Sequence, residues 1–433
     1  MNWGPFEAVR GLRPAGTIPQ VTPIRRLLSD LPTVDPVAAT RTALEPLRGQ
    51  IAAGARIAVT AGSRGIHDLV PVVRAAVEWL ASVGADPFVV PAMGSHGGAT
   101  ADGQREMLAG LGITPESVGC RVEATMKTVV VGHLDDGTPV HHDAIAAAAD
   151  GVLLVNRIKP HTDFRGPIES GLAKILAIGL GNHSGAAALH AGGIPALGGN
   201  IEASARMVVA GGKILGGLAI LENAIDQTAA VELVDAAGIA GAAEHALLQR
   251  ANSLLGRLPF ESLDVLVVDE LGKDKSGAGM DTNVIGRCWV HGIPEFESPS
   301  IAAITVHSLS PASHGNASGL GLADVMPARI LSQIDLQASY VNALTSGAGG
   351  ARRSRLPMVM ADDETAVLAA ITMCGRRDWS ELRLARIRDT LTPHELLVTP
   401  ALLAEAGDRF DLEITGAARD LTIDGELGPW STE

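Results

Sequence analysis

The chain is poor in cysteine, with only Cys120, Cys288 and Cys374, widely separated. An odd, scattered set excludes a disulfide framework and a zinc-type cysteine cluster, and fits a reducing compartment. A basic stripe is also missing, and the formal charge is −14. Nucleic acids and anionic membranes are bound through clustered Lys and Arg, so neither is expected as a partner. There is no uninterrupted apolar run of about 18 residues, which argues against a membrane span. The start, MNWGPFEAVRG, lacks the charged and apolar blocks of a signal peptide, so a cytoplasmic location is expected. Aromatics make up 3%, and Tyr340 is the only tyrosine.

Against these absences stand 46% apolar residues and 50 glycines. The glycine content exceeds the roughly 7% average and implies many tight loops that bring backbone close to a small ligand. A length of 433 residues exceeds one typical domain of about 150. We expect two large α/β domains, 1–259 and 260–433, divided near Leu258-Pro259.

The order of elements supports that class. RIAVT at Arg56–Thr60 reads as a short strand, followed by the loop AGSRGIHD and an amphipathic helix from about Leu69 to Val83. The unit repeats: PFVV at Pro87–Val90 leads into PAMGSHGGAT, where Thr100 can cap a helix to about Leu108. A third strand, GVLLV at Gly151–Val155, leads into RIKPH. Ligands of open α/β sheets sit beyond the carboxyl ends of the strands, so Arg64, His96 and His161 are candidates to converge. Between the second and third strands, TVVVGHLDDGTPVHHD reads as a hairpin turning at Asp136-Gly137, with His133, His141 and His142 as surface decoration. Ala229 to Leu255 reads as one long helical region, and LDVLVVD opens the second domain. Strand and helix pairs are expected at about Leu356–Thr372 and Leu396–Ala406, and FDLEIT reads as a last strand.

The stretch KPHTDFRGPIESGLAKILAIGLGNHSGAAALH, Lys159 to His190, sets Lys174 between His161 and His190 in an otherwise apolar, Gly-rich segment. An unpaired ammonium there costs several kcal/mol, so it must find a partner, lose its proton or be modified. Imidazoles at both ends suit proton transfer or metal binding. The packing alternatives are an exposed lysine on an amphipathic segment and a hydrogen-bonded, helix-terminal His190.

The spacing of Lys174 and His190, with GSRG at Gly62–Gly65 and GSHGG at Gly94–Gly98, resembles the lactate racemase family of nickel-pincer nucleotide enzymes. The resemblance implies a 2-hydroxyacid racemase or epimerase, with cofactor and active site in the cleft between the domains. In that family the cofactor, a pyridinium-3,5-bisthiocarboxylic acid mononucleotide, is joined covalently to a lysine and carries nickel. Lys174 matches the lysine, and His190 the histidine that completes the square-planar site. His96 and His161 match the two bases, one for each enantiomer, that take the substrate hydroxyl proton while hydride leaves for the cofactor. Arg64 supplies donors for the substrate carboxylate, and Ser63, Gly65, Gly97 and Gly98 are candidate nucleotide contacts. Family members commonly have an aspartate three residues before this arginine, where this chain has Ala61. DELGKDKSGAGMDTNVIGR, Asp269 to Arg287, resembles a motif of one branch of the family, and it makes Lys273 the candidate for the substrate carboxylate. Maturation would require the enzymes that make the cofactor.

Two other readings compete. A nicotinamide-dependent 2-hydroxyacid dehydrogenase would share substrate and hydride step, but GLGNHS at Gly179–Ser184 is only a near miss to G-x-G-x-x-G. A non-catalytic nickel or nucleotide carrier would keep Lys174 and His190 and have no use for His96 and His161.

Overall fold

The computed structural model describes residues 11–28, 30–63, 65–345, 347–406 and 411–430. The chain is α/β and divides into two compact units, Asp30–Leu255 and Met1–Ser29 together with Gly256–Glu433. The beginning of the chain therefore belongs with its second half, not with the first domain as expected. The cause is pairing: strand Thr22–Arg26 lies antiparallel to both Glu395–Val398 and Leu412–Ile414. TPIRR is too short and too little alternating to announce itself as a strand.

The unit Asp30–Leu255 is built on a five-stranded sheet in the order Asp86–Pro91, Arg56–Ala61, Gly151–Arg157, Ile214–Glu222, Thr228–Asp235. The first four strands are parallel and the fifth is antiparallel. Val59 and Leu153 on the central strands are fully buried, which explains why these strands read as continuous apolar runs. Helix Leu69–Ser82 buries Leu69, Val72, Val73, Ala76, Val77 and Leu80, a stripe at helical spacing. Thr100 caps helix Ala101–Gly110 as expected, its hydroxyl accepting the Gly103 N–H at 3.0 Å. The hairpin also forms, Thr128–His133 against Pro139–Asp143, with Gly137 at φ 84°.

The long helix expected from Ala229 does not form. Thr228–Asp235 is a strand paired with Ile214–Glu222, and only Ala242–Leu254 is helical. Alanine, leucine and glutamate favour helix weakly, and the hairpin buries Ala229, Ala230, Val231 and Val234, so tertiary pairing overrides propensity.

The other unit carries an eight-stranded sheet, with Ser262–Val268, Ser300–Val306 and Leu384–Ile387 parallel at its centre. The strand and helix pairs Met358–Met360 with Asp363–Met373 and Glu395–Val398 with Pro400–Ala406 fall where expected.

Asp363, 1% exposed, ties this unit together. Its Oδ1 accepts from His307 Nδ1 at 2.8 Å and from Arg329, and its Oδ2 accepts the Leu427 N–H at 3.0 Å. Burial opposes the charge most strongly of the single influences. The hydrogen bonds and charge of His307, with Arg329 and Leu427, together outweigh it and hold the carboxyl at about 2, against 3.8 when free. A depressed carboxyl contributes stability that is present above the free value and lost as pH falls through the folded one. Wild type should therefore lose roughly 2 kcal/mol of unfolding free energy on this account between about pH 4 and pH 2. Asp363→Asn should be less stable at neutral pH and should lack that part of the acid loss. Urea titrations of both proteins at several pH values check this, and parallel acid profiles would refute it.

Candidate active site

Three loops leave the carboxyl edge of the parallel strands and carry the candidate residues. After Arg56–Ala61 the chain turns through Gly62 and Ser63, and Ser63 Oγ lies 2.5 Å from His96 Nδ1. His96, exposed, follows strand Asp86–Pro91 and precedes the turn Gly97–Ala99. Gly97 has φ 68°, and a Cβ there would meet the Gly103–Gln104 backbone at 2.6 Å, so no other residue fits without moving the helix start. Gln104 Nε2 donates to Gly94 O at 2.9 Å and anchors this loop from beneath. Gly65 and Gly98 are exposed on the same two loops, and Arg64 lies outside the described residues.

The third loop follows Gly151–Arg157 and holds His161 on every side. The His161 N–H donates to Glu169 Oε2 at 2.6 Å, and the Asp163 N–H donates to His161 Nδ1 at 3.0 Å. The ring stacks on buried Phe164 with centroids 4.4 Å apart. Arg165 donates to His161 O at 2.6 Å and pairs with Glu169 at 3.4 Å. Glu169 is buried, and burial pushes its carboxyl up against the N–H donors that favour its charge.

His161 Nε2 lies 2.7 Å from Lys174 Nζ. Lys174 ends the turn Leu172–Lys174, and a π-helical turn, Ile175–Gly179, follows directly. Such turns are rare and recur at functional sites. Its immediate neighbours Ala173, Ile175, Leu176 and Ala177 are all buried. Two side chains hold this turn from other elements. Asn156 Nδ2 donates to Gly171 O at 2.8 Å, and Glu244, 2% exposed on helix Ala242–Leu254, accepts the Ala173 N–H at 2.9 Å. A Cβ on Gly171 would meet Glu244 Oε1 at 2.5 Å, so glycine is needed for that approach. Burial raises the Glu244 carboxyl, opposed by the N–H donors of Ala240, Ala173 and Leu172.

Nδ1 of His161 accepts a backbone N–H, so Nε2 is the ring nitrogen that faces Lys174 Nζ.

His190 is the last residue of helix Asn182–His190 and is exposed. Its Nδ1 lies 2.6 Å from Ala186 O, which can only accept, so Nδ1 donates and Nε2 is left for another partner. That is the usual arrangement of a metal-binding imidazole. The hairpin supports this helix: Asn182, fully buried at φ 51°, donates to Asp143 Oδ2 at 2.8 Å and to Thr125 O at 3.0 Å. His142 is not the surface residue expected, being 5% exposed, and burial together with Lys213 lowers it to about 4, so it is neutral at pH 7.

Lys273 belongs to the other unit, where its Nζ donates to Gly277 O at 2.7 Å and its N–H to Ser313 Oγ at 2.8 Å. The neighbouring Lys275 is fixed by Glu270, Asp274 and Asp389 at 3.1, 3.1 and 3.4 Å. GLGNHS lies in the helical run that includes Ile175–Gly179 and Asn182–His190, not between a strand and a helix, so it lacks the setting of a dinucleotide-binding turn.

Among the described residues no group of three or more His, Cys, Asp or Glu is arranged to hold a metal ion. Among the described residues no helix is long and apolar enough to cross a membrane.

No protein-family model matches this sequence, and no curated protein matches it. Among solved structures, the lactate racemase apoprotein from Thermoanaerobacterium thermosaccharolyticum is similar at a TM-score of 0.46 and 11% identity, over 86% of this chain and 88% of that one.

Proposed function

We propose that the chain is an isomerase, a racemase or epimerase of a small 2-hydroxy acid, working with a nickel-pincer nucleotide attached to Lys174. The single observation that carries the reading is the 2.7 Å contact of Lys174 Nζ with His161 Nε2, at the head of a buried π-helical turn. Apolar surroundings ease the loss of a proton from an amine, and the amine without its proton is the form that bonds to carbon.

When bound, the cofactor supplies a reversible hydride acceptor. Everything else falls to the chain. His190 would hold the nickel through Nε2, with Nδ1 fixed on Ala186 O. Ser63, Gly65 and the Gly97–Gly98 backbone supply donors for the nucleotide phosphate. His161 and His96 take and return the substrate hydroxyl proton, one for each enantiomer, and Arg64 binds the substrate carboxylate.

The deciding experiment is intact-protein mass spectrometry after coexpression with the enzymes that make the cofactor, followed by peptide mapping. The expected result is an adduct on Lys174. His190→Ala should keep some of the adduct while losing nickel and activity, because the lysine link does not depend on the metal bond. Normal nickel content in that variant by elemental analysis would remove His190 from the coordination sphere.

A further inference from the structure

A second site emerges in the unit Met1–Ser29 with Gly256–Glu433, remote in sequence from the lysine and histidine loops. A cavity of about 370 Å³ opens beside strands Thr22–Arg26 and Glu395–Val398, and Arg25, Arg388 and Arg419 stand in its wall with Trp430 and one carboxylate, Glu395. Three guanidinium groups against one carboxylate leave two positive charges in excess, in a chain whose formal charge is −14. Such a local reversal of sign requires an explanation.

The arginines are held, but not neutralised. Arg388 is exposed, and its guanidinium carbon lies 5.1 Å from the Trp430 ring centre, while no carboxylate pairs with it among the described residues. Arg419 donates from NH2 to Trp430 O at 2.7 Å, its backbone bridges to Val21, and its Nε is buried without a hydrogen-bond partner. Arg25 meets Glu395 only at 3.4 Å, with both side chains largely open to solvent, a pairing that contributes little. The wall itself is rigid. Trp430 Nε1–H donates to Asp269 Oδ2 at 2.5 Å, and Arg386, bound to Asp269 at 2.7 and 2.8 Å, lies 5.0 Å from the same ring. Arg386 is thereby neutralised and serves as scaffold, leaving Arg25, Arg388 and Arg419 as the groups directed to a ligand.

We propose that this cavity binds a multiply charged phosphoryl compound. A guanidinium presents a planar fork of donors that matches two phosphoryl oxygens at once, and cation–π contact with Trp430 orients Arg388 without consuming its N–H groups. A single negative charge would leave the excess uncompensated, and the volume lies at the small end of the range for ligand pockets, so the occupant is compact. Inorganic pyrophosphate has both properties and is the probe of choice.

The test is titration calorimetry of the full chain with pyrophosphate, orthophosphate and citrate, at ionic strength held constant with chloride. Saturable binding of pyrophosphate is expected, tighter than that of orthophosphate or citrate. Arg388→Gln and Arg419→Gln should each weaken it by about tenfold or more. Arg74→Gln, which removes an exposed arginine paired with Glu78 on helix Leu69–Ser82, should leave it unchanged. Arg388 is exposed and unpaired by carboxylate, so its replacement is expected to fold, and a matching thermal transition verifies this. No saturation below about 10 mM would overturn the proposal. So would equal weakening by Arg74→Gln, which signifies general attraction, or tighter binding of citrate, which signifies a carboxylate site.

Discussion

Lys174→Ala should carry no adduct, bind no stoichiometric nickel and have no racemase activity, even when coexpressed with the cofactor-making enzymes. No other residue replaces it, because attachment needs an amine at the head of this turn. The apolar surroundings of Lys174 give an expected result that needs no cofactor. A small acylating reagent offered to the unmodified chain near neutral pH should label Lys174 ahead of exposed lysines, which are almost wholly protonated there and therefore poor nucleophiles. Peptide mapping at limiting reagent reads the order of labelling. A Lys174 that labels last, in a chain shown to be folded, would mean that Nζ carries its proton and that the contact with His161 is an ordinary one. An active Lys174→Ala, or an adduct that persists in it, would end the pincer reading altogether.

His96→Ala and His161→Ala should each retain cofactor yet fail to interconvert enantiomers, with losses of about 10²- to 10⁴-fold, the usual contribution of a positioned base. Single turnovers should separate the two by hand. One variant should still transfer hydride from one enantiomer and the other from its mirror image. The structure adds an asymmetry between them. His161 Nε2 lies against Lys174 Nζ, whereas His96 is bonded to Ser63 Oγ, so only His161→Ala should also slow attachment of the cofactor. Time courses of adduct formation by mass spectrometry measure that difference. Wild-type racemisation in both variants would refute the two-base mechanism, and a requirement for added nicotinamide nucleotide would favour the dehydrogenase.

Local order was legible wherever one stretch of chain contains its own reason. The apolar runs at Arg56, Pro87 and Gly151, the first two followed by Gly-rich loops, specify buried parallel strands with loops at their ends, and Thr100 and Gly137 announce a cap and a turn. Lys174 stood out because a charged group in an apolar segment is costly wherever the segment ends up. His161 and His190 followed from the same stretch. What depended on distant partners was not legible. TPIRR gives no sign that it will join strands nearly four hundred residues later, and TAAVELVD reads as helix until Ile214–Glu222 lies beside it. His142 passed for a surface residue because its burial comes from elements outside its hairpin.

The site divides in the same way. The sequence determined which groups were available: one isolated lysine, its flanking histidines and the glycines that let backbone come close. The tertiary structure decided their partners and aim. Glu244, seventy residues from Lys174, caps the turn that carries it, and Asn156 holds the same turn from the neighbouring strand. The Asp163 N–H occupies Nδ1 of His161 and leaves Nε2 to face Lys174. Hydrogen bonds act over about 3 Å, and a proton goes to whichever atom the fold leaves able to accept it, so chemistry of this kind is fixed only when remote segments meet.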